Sequence, residues 1–155
     1  NDPNHHCTCT PTQVPRYKSK ISGPLLDRID IQIEVAPVSV TELARAPKGE
    51  PSASIRERVI AARAIQTERY KNEHGVHCNA QMSRAMIEQF AQLDAEAAQS
   101  LQKAMRRLDL SARAYDRILK VARTIADLDA SPQIAARHIK EAIGYRSLDR
   151  GDWGE

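Results

Sequence analysis

The sequence predicts a mainly α-helical fold preceded by a short mixed α/β segment, and three observations support this prediction. Apolar residues make up 41% of the 155 residues but aromatic residues only 4%, so Ala, Leu, Ile and Val must build the core. Such a composition favours closely packed helices. From residue 52 onward, apolar residues recur at helical spacing between polar helix boundaries. Before residue 50, one stretch alternates apolar and polar residues, which is typical of a strand.

Bulk properties exclude several classes of protein. The formal net charge of +3 is too small to indicate nucleic-acid binding by itself. No apolar run approaches the roughly 20 residues that a membrane helix needs, and the N-terminus lacks a signal-peptide pattern. The three cysteines do not form a secreted disulfide framework. We therefore expect a cytoplasmic location and no membrane partner.

The first nine residues are predicted to form a polar loop. Four possible zinc donors lie there, namely His5, His6, Cys7 and Cys9. Four side chains within five residues can hardly close a tetrahedron around one ion, and structural zinc sites usually draw on two separated pairs. We therefore predict a surface loop with reduced thiols and no metal site.

A short helix is predicted after this loop. Thr10 is the expected cap, Pro11 the first helical residue and Gln13 the partner in a capping box. Pro15 should distort the helix, which we expect to end by Ile21. One side of the helix is basic, through Arg16, Lys18 and Lys20. A solvated face is the favoured interpretation, and contact with DNA or with a neighbouring subunit is the alternative.

The stretch Ser22-Gly-Pro-Leu-Leu-Asp-Arg-Ile-Asp-Ile31 is the most distinctive part of the chain. Gly23 and Pro24 break any preceding helix. A half-buried strand is then predicted over residues 29–35, because Ile29, Ile31, Ile33 and Val35 alternate with polar residues. We therefore expect the side chain of Arg28 to project outward from a rigid turn at the start of this strand. A helical turn over residues 40–43 and a linker over residues 46–51 are predicted to follow.

Residues from 52 onward are predicted to form helices with capped N-termini. Ser52 or Ser54 should cap a long helix that ends near Lys71, with the apolar stripe Ile55, Val59, Ala62 and Ile65/Gln66. The later helices are expected to start at Ser83, Asp94, Ser111 and Ser131-Pro132. Cys78 and His77 are adjacent but lack a third partner, so we assign them no catalytic or metal role.

The helix that begins at Ser111 carries four cations, at Arg113, Arg117, Lys120 and Arg123. The last three are interpreted as a solvated face rather than as a nucleic-acid reader. Arg113 is different, because a positive charge in the first turn opposes the helix dipole. A residue that breaks a local rule is a candidate for function, and the free N–H groups of a helix start favour a phosphate. The structural alternative is an Arg113 that extends into water or pairs with Asp109 or Asp116.

Four motifs together resemble the magnesium-chelatase-like branch of AAA+ ATPases, and within it the ComM/YifB group. They are Cys-Thr-Cys-Thr-Pro-Thr-Gln13, Ile21-Ser-Gly-Pro-Leu-Leu-Asp-Arg-Ile-Asp30, Leu110-Ser-Ala-Arg-Ala-Tyr-Asp-Arg-Ile-Leu119 and Tyr145-Arg-Ser-Leu-Asp-Arg150. The resemblance implies that Arg28 is an arginine finger, which reaches the ATP of the neighbouring subunit. It also implies that Arg113 is sensor 2, which contacts the phosphates of ATP in its own subunit.

The resemblance implies a division into domains. Residues 1–50 would be the C-terminal end of the AAA+ α/β core, residues 51–150 a helical lid, and residues 151–155 a tail. The sequence has neither a Gly-x-x-x-x-Gly-Lys-[Ser/Thr] loop nor an acidic strand end for magnesium, so we expect a C-terminal piece. Alone it should neither hydrolyse ATP nor have ATP or Mg²⁺ bound.

Partners and substrate are also implied by the resemblance. The chain would join its own AAA+ core in a homo-oligomeric ring, with a hexamer as the expected size, that hydrolyses ATP with Mg²⁺ and remodels or translocates DNA. Members of the group include a helicase that promotes branch migration during natural transformation. The alternative is a non-catalytic helical module that binds DNA or another subunit. Chelatase activity on a porphyrin ranks low, because the Cys-Thr-Cys loop and the Tyr145–Arg150 ending resemble ComM/YifB.

Overall fold

A computed structural model of the chain describes residues 8–35, 37–45, 47 and 49–146, and this part is mainly α-helical, as predicted. Eight α-helices, and no β-strand, occur in these described residues. They are α1 (Gln13–Lys18), α2 (Gly23–Leu26), α3 (Val40–Arg45), α4 (Ser52–Arg69), α5 (Arg84–Phe90), α6 (Ala95–Arg107), α7 (Ala112–Leu128) and α8 (Ala136–Gly144). The division into a core remnant and a lid stays a prediction.

Helix α7 is the centre of the bundle. It packs against α4, α5 and α8, and α6 packs against α8. Leu101 on α6, Ile118 on α7 and Ile139 on α8 are each at most 1% exposed. Aliphatic side chains and alanines dominate this core. Tyr70 is its one fully buried aromatic residue in the described part of the chain, and its ring packs edge to face against the half-buried Phe90. The prediction that Ala, Leu, Ile and Val build a core of closely packed helices is therefore confirmed.

Three of the predicted N-caps are confirmed. The side-chain oxygens of Ser83, Asp94 and Ser111 accept hydrogen bonds from backbone N–H groups three residues on, at 3.3, 2.6 and 3.2 Å. Each bond satisfies a donor that the first turn of a helix would otherwise leave without a partner. Local sequence therefore specifies where α5, α6 and α7 begin.

The predicted starts of α4 and α8 are wrong in detail. Helix α4 follows Pro51, and neither Ser52 nor Ser54 caps it, since both lie within the helix. Helix α8 begins at Ala136 rather than at Ser131-Pro132. The backbone before it is drawn into a bridge between Leu93 and the fully buried Ile134, which prevents an earlier helical start.

The ring of His138 takes over the capping of α8. Its Nδ1 atom accepts a hydrogen bond from the backbone N–H of Ala135 at 3.0 Å, and its Nε2 atom lies 3.1 Å from Asp129 Oδ2. The ring is 1% exposed. His138 is therefore a packed structural histidine.

The N-terminal helix α1 is short, as predicted. The side chain of Gln13 accepts a hydrogen bond from the backbone N–H of Thr10 at 2.8 Å, which is the expected contact between these two residues. The predicted start is wrong, because α1 begins at Gln13 after Thr12, so Thr10 and Pro11 lie before the helix. Pro15 therefore falls in the first turn, where a proline blocks no helical hydrogen bond. Helix α3 extends the predicted turn to Arg45.

The predicted strand over residues 29–35 is wrong. The segment is extended but makes one parallel bridge, between Gln32 and Arg146. Its polarity is the reverse of the expected one, because Gln32 is 5% exposed while Ile33 and Val35 are 66% and 83% exposed. No neighbouring strand exists in the described residues to bury the apolar side chains.

A matched pair of substitutions tests this reversal. Ile33→Val should change the free energy of unfolding by less than about 0.5 kcal/mol, because the side chain is exposed. Ile134→Val removes the same methylene from a fully buried site and should cost about 1 kcal/mol. Urea unfolding of both variants measures the difference. Equal losses would show that Ile33 is buried in solution.

A buried ionic network joins α4 to α7, although the sequence predicted a solvated charge at one of its members, Arg123. Asp127 is 2% exposed and pairs with Arg69 from α4 and with Arg123 one turn away on α7. Arg123 is also 2% exposed, so its place on the predicted solvated face is wrong. Arg69 is likewise largely buried, with 13% of its side chain exposed.

The remaining hydrogen bonds of this network satisfy its polar groups. Asn79 donates to Asp127 at 2.8 Å and accepts from the hydroxyl of Tyr70 at 2.7 Å. Arg123 donates to the carbonyl oxygens of Ser131 and Pro132. Burial lowers the pKa of Arg123, and the hydrogen bond to Asp127 raises the pKa of Arg69. Burial also raises the pKa of Tyr70. Asp127 therefore compensates two arginines at once.

Candidate functional site

Arg28 lies on a tight turn directly after α2. The backbone N–H groups of Arg28 and Ile29 donate to the carbonyls of Leu25 and Leu26, each at 3.0 Å. The guanidinium is exposed and donates to the carbonyl of Pro24 at 3.2 Å, within the same turn. The predicted rigid turn is therefore present without the predicted strand. It holds an exposed cation on a backbone whose hydrogen bonds are satisfied locally.

Arg113 lies in the first turn of α7, also exposed. No acidic residue occupies that turn. Asp116 pairs with Arg84 instead, and no ion pair joins Arg113 to an acidic side chain within the described residues. The predicted alternative, in which Arg113 pairs with Asp109 or Asp116, is therefore absent from this part of the chain. An exposed guanidinium at a helix start suits a phosphate, which it can bind with two parallel hydrogen bonds.

The two arginine motifs meet in space, although they are 84 residues apart in the sequence. The hydroxyl of Ser111, which caps α7, donates to the carboxylate of Asp27 at 3.2 Å. Asp27 directly precedes Arg28, and Ser111 stands two residues before Arg113. The carboxylate also places negative charge near the positive end of the α7 dipole, which offsets the unfavourable Arg113. The structure thus brings together the flanks of both predicted site residues.

Further contacts hold the same turn, and sequence reasoning did not find them. Arg117, one turn after Arg113, pairs with Asp30. Arg146 is 1% exposed; it donates to the carbonyl of Ile29 at 2.9 Å and lies 3.8 Å from Asp27. Arg117 was interpreted as a solvated cation, which the pairing corrects. Arg146 lies within one of the quoted motifs, which was the one sequence signal that it matters. No spacing rule, however, links it to Asp27 or Ile29, which are more than 100 residues away in the sequence.

The other predicted candidates do not form a site in the described residues. His5, His6 and Cys7 lie outside them, and Cys9 is exposed. No group of three or more His, Cys, Asp or Glu side chains in the described part of the chain could hold a metal ion. Arg16 and Lys20 are exposed on and just after α1, so a role in DNA contact stays a prediction.

The fold and the joined motifs agree with comparisons to known families. Residues 49–146 match the family described as magnesium chelatase, subunit ChlI C-terminal, and residues 1–43 match magnesium chelatase, subunit ChlI. The chain therefore belongs to the magnesium-chelatase-like family, in the group that contains ComM and YifB.

Individual relatives show how far the similarity extends. The chain is 42% identical to the uncharacterized protein YifB of Escherichia coli and 43% identical to the competence protein ComM of Haemophilus influenzae. Each alignment covers 94% of this chain and 28% of the relative. An uncharacterized protein of Mycobacterium tuberculosis is 31% identical over 90% of the chain. The chain thus spans about a quarter of the length of these relatives.

In the described part of the chain, no helix is both long and apolar enough to cross a membrane.

Proposed function

We propose that this chain supplies two arginines to a magnesium-chelatase-like AAA+ ATPase: Arg28 as the arginine finger and Arg113 as sensor 2. The observation that carries the proposal is the hydrogen bond between Ser111 and Asp27, which joins the two motifs. Both arginines are exposed beside this bond, and neither forms an ion pair within the described residues. Two rigidly held, unneutralised cations are suited to anionic oxygens.

The two arginines would have different tasks. Arg113 would donate to the phosphates of the nucleotide held by its own subunit, assisted by the positive end of the α7 dipole. Arg28 would extend from its turn toward a neighbouring subunit and stabilise the charge that develops during phosphoryl transfer. Mg²⁺-ATP, held by a phosphate loop outside this sequence, supplies the phosphoryl group that is transferred to water. This chain therefore provides positioned positive charge rather than a nucleophile or a base.

A finger that acts on a neighbour requires an adjacent subunit, so the proposal includes a homo-oligomer, which we propose to be a ring. DNA is the proposed substrate of that ring. Support comes from the Haemophilus influenzae relative, whose name is competence protein, and from the exposed cations Arg16 and Lys20.

Substitution of Arg113 tests the sensor 2 assignment. A suitable protein is a chimaera in which this chain replaces the matching segment of E. coli YifB. In the chimaera, Arg113→Ala should weaken ATP binding by about 10-fold to 100-fold, because a hydrogen bond to a charged group contributes about 1.5–3 kcal/mol. Fluorescent-nucleotide titration measures this change. Arg107→Ala removes an exposed arginine from α6 and should leave the affinity unchanged. Equal affinities of the Arg113→Ala and Arg107→Ala variants would overturn the assignment.

A further inference from the structure

The turn that carries Arg28 is tied to the helix that carries Arg113 by two carboxylates. Asp27 precedes Arg28 and accepts a hydrogen bond from Ser111 at 3.2 Å. Asp30, two residues after Arg28, pairs with Arg117 on α7. Within the described residues, the guanidinium of Arg28 donates a hydrogen bond to the carbonyl of Pro24 in its own turn and forms no ion pair. The placement of Arg28 relative to α7 therefore depends on its two acidic neighbours.

We propose that Asp27 and Asp30 are positioning residues that make the Arg28 turn move together with helix α7. The proposal rests on the proposed function, because it concerns how the state of one nucleotide site reaches the next. A shift of α7 that accompanies phosphate contact at Arg113 would move Ser111 and Arg117. Through the two carboxylates it would carry Arg28 with it. The sensor of one subunit would thereby control the finger presented to its neighbour.

The two contacts, Asp27 with Ser111 and Asp30 with Arg117, flank Arg28 in the sequence and reach the first two turns of the same helix. Ser111 caps α7, and Arg117 lies in its second turn. Two attachments to one rigid helix prevent the Arg28 turn from pivoting about either of them. The buried Arg146 adds a third contact by donating to the carbonyl of Ile29 at 2.9 Å. The turn is therefore fixed in orientation as well as in position.

The exposure of the Asp30–Arg117 pair makes the proposal testable without unfolding the protein. The side chains of Arg117 and Asp30 are 30% and 45% exposed. Ion pairs of this kind contribute little to stability, with a typical range of about 0–1 kcal/mol. Loss of activity on breaking the pair can therefore be assigned to the position of Arg28 rather than to a loss of folded protein.

The first test uses steady-state ATP hydrolysis by the chimaera. Asp30→Arg sets two positive charges against each other and should lower kcat. Since misplacement of a group by about 1 Å can cost on the order of 10²-fold in rate, we expect a decrease of about 10-fold to 100-fold. KM for ATP should stay within about twofold, because the finger acts on a neighbouring nucleotide in the transition state. Asp30→Arg combined with Arg117→Asp should restore kcat by re-forming the pair. Glu34→Gln neutralises an exposed carboxylate of the same segment and should have no effect.

The second test uses hydrogen exchange of this chain without nucleotide. Asp27→Ala combined with Asp30→Ala removes both acceptors and should speed amide exchange over residues 25–32, while the amides of α6 keep their protection. Unchanged exchange in this segment would overturn the proposal, and so would a double charge swap that fails to restore kcat. A failure of the proposed function has a different signature, since Arg28→Ala and Arg113→Ala would then leave turnover unchanged.

Discussion

Replacement of Arg28 by alanine should reduce ATP turnover of the chimaera by on the order of 10³-fold or more, which is the range measured for arginine fingers of GTPases. The physical reason is that the transition state spreads negative charge over the transferred phosphoryl group, and a positioned guanidinium stabilises that charge. Arg28→Lys should recover only part of the loss, because lysine lacks the planar fork. Turnover is measured by phosphate release.

Mixing of subunits shows whether Arg28 acts across a subunit boundary. One subunit type carries Arg28→Ala, and the other keeps Arg28 but has its phosphate-loop lysine replaced. Each is inactive alone, and their mixture should recover turnover, because an intact finger then faces an intact nucleotide site. An inactive mixture would place Arg28 in the site of its own subunit. Arg56→Ala, which removes an exposed arginine from α4, serves as the control and should retain full turnover.

Replacement of Asp127 by alanine should destabilise the helical bundle by about 3–5 kcal/mol, the cost of breaking a buried ion pair by removing one partner. The carboxylate is 2% exposed and accepts from Asn79 as well as from two arginines. Its removal leaves the positive charge of Arg123, also 2% exposed, without a compensating anion. Arg69 can turn toward solvent more easily. The free energy of unfolding in urea measures the loss.

A matched control separates burial from ion pairing as such. Asp116 lies on the same helix and also pairs with an arginine, but its side chain is 33% exposed and that of Arg84 is 57% exposed. Asp116→Ala should therefore cost no more than about 1 kcal/mol. Comparable losses at Asp116 and Asp127 would contradict the view that burial makes the Asp127 network decisive.

Local features of this chain were predictable because local chemistry determines them. The caps Ser83, Asp94 and Ser111 act on N–H groups three residues away, so the sequence contains both partners of each bond. The rigid turn before Arg28 follows from Gly23-Pro24 in the same way. Among the site residues, Arg28 came from the motif it lies in, and Arg113 was further marked by its unfavourable place in a first turn.

Features that depend on distant partners were not predictable. The alternation of residues 29–35 is a valid strand pattern, yet a strand needs a neighbour, and the described residues offer one bridge at Gln32. Arg117, Arg123 and Lys120 share one helical run, but Asp30, Asp127 and the carbonyl of Ala80 give them three different environments. Helical spacing alone does not show which of these cations forms an ion pair with a buried carboxylate.

Local residue patterns were sufficient to predict the helical class and several of the boundaries that capping residues specify, and motif resemblance singled out Arg28 and Arg113 as candidates. Tertiary structure alone decided that Asp27 meets Ser111, that Arg123 is buried and that the apolar side of residues 29–35 faces outward. The physical reason is one of range. Hydrogen bonds within a turn involve residues a few positions apart, whereas burial and ion pairing depend on which surfaces the folded chain brings into contact.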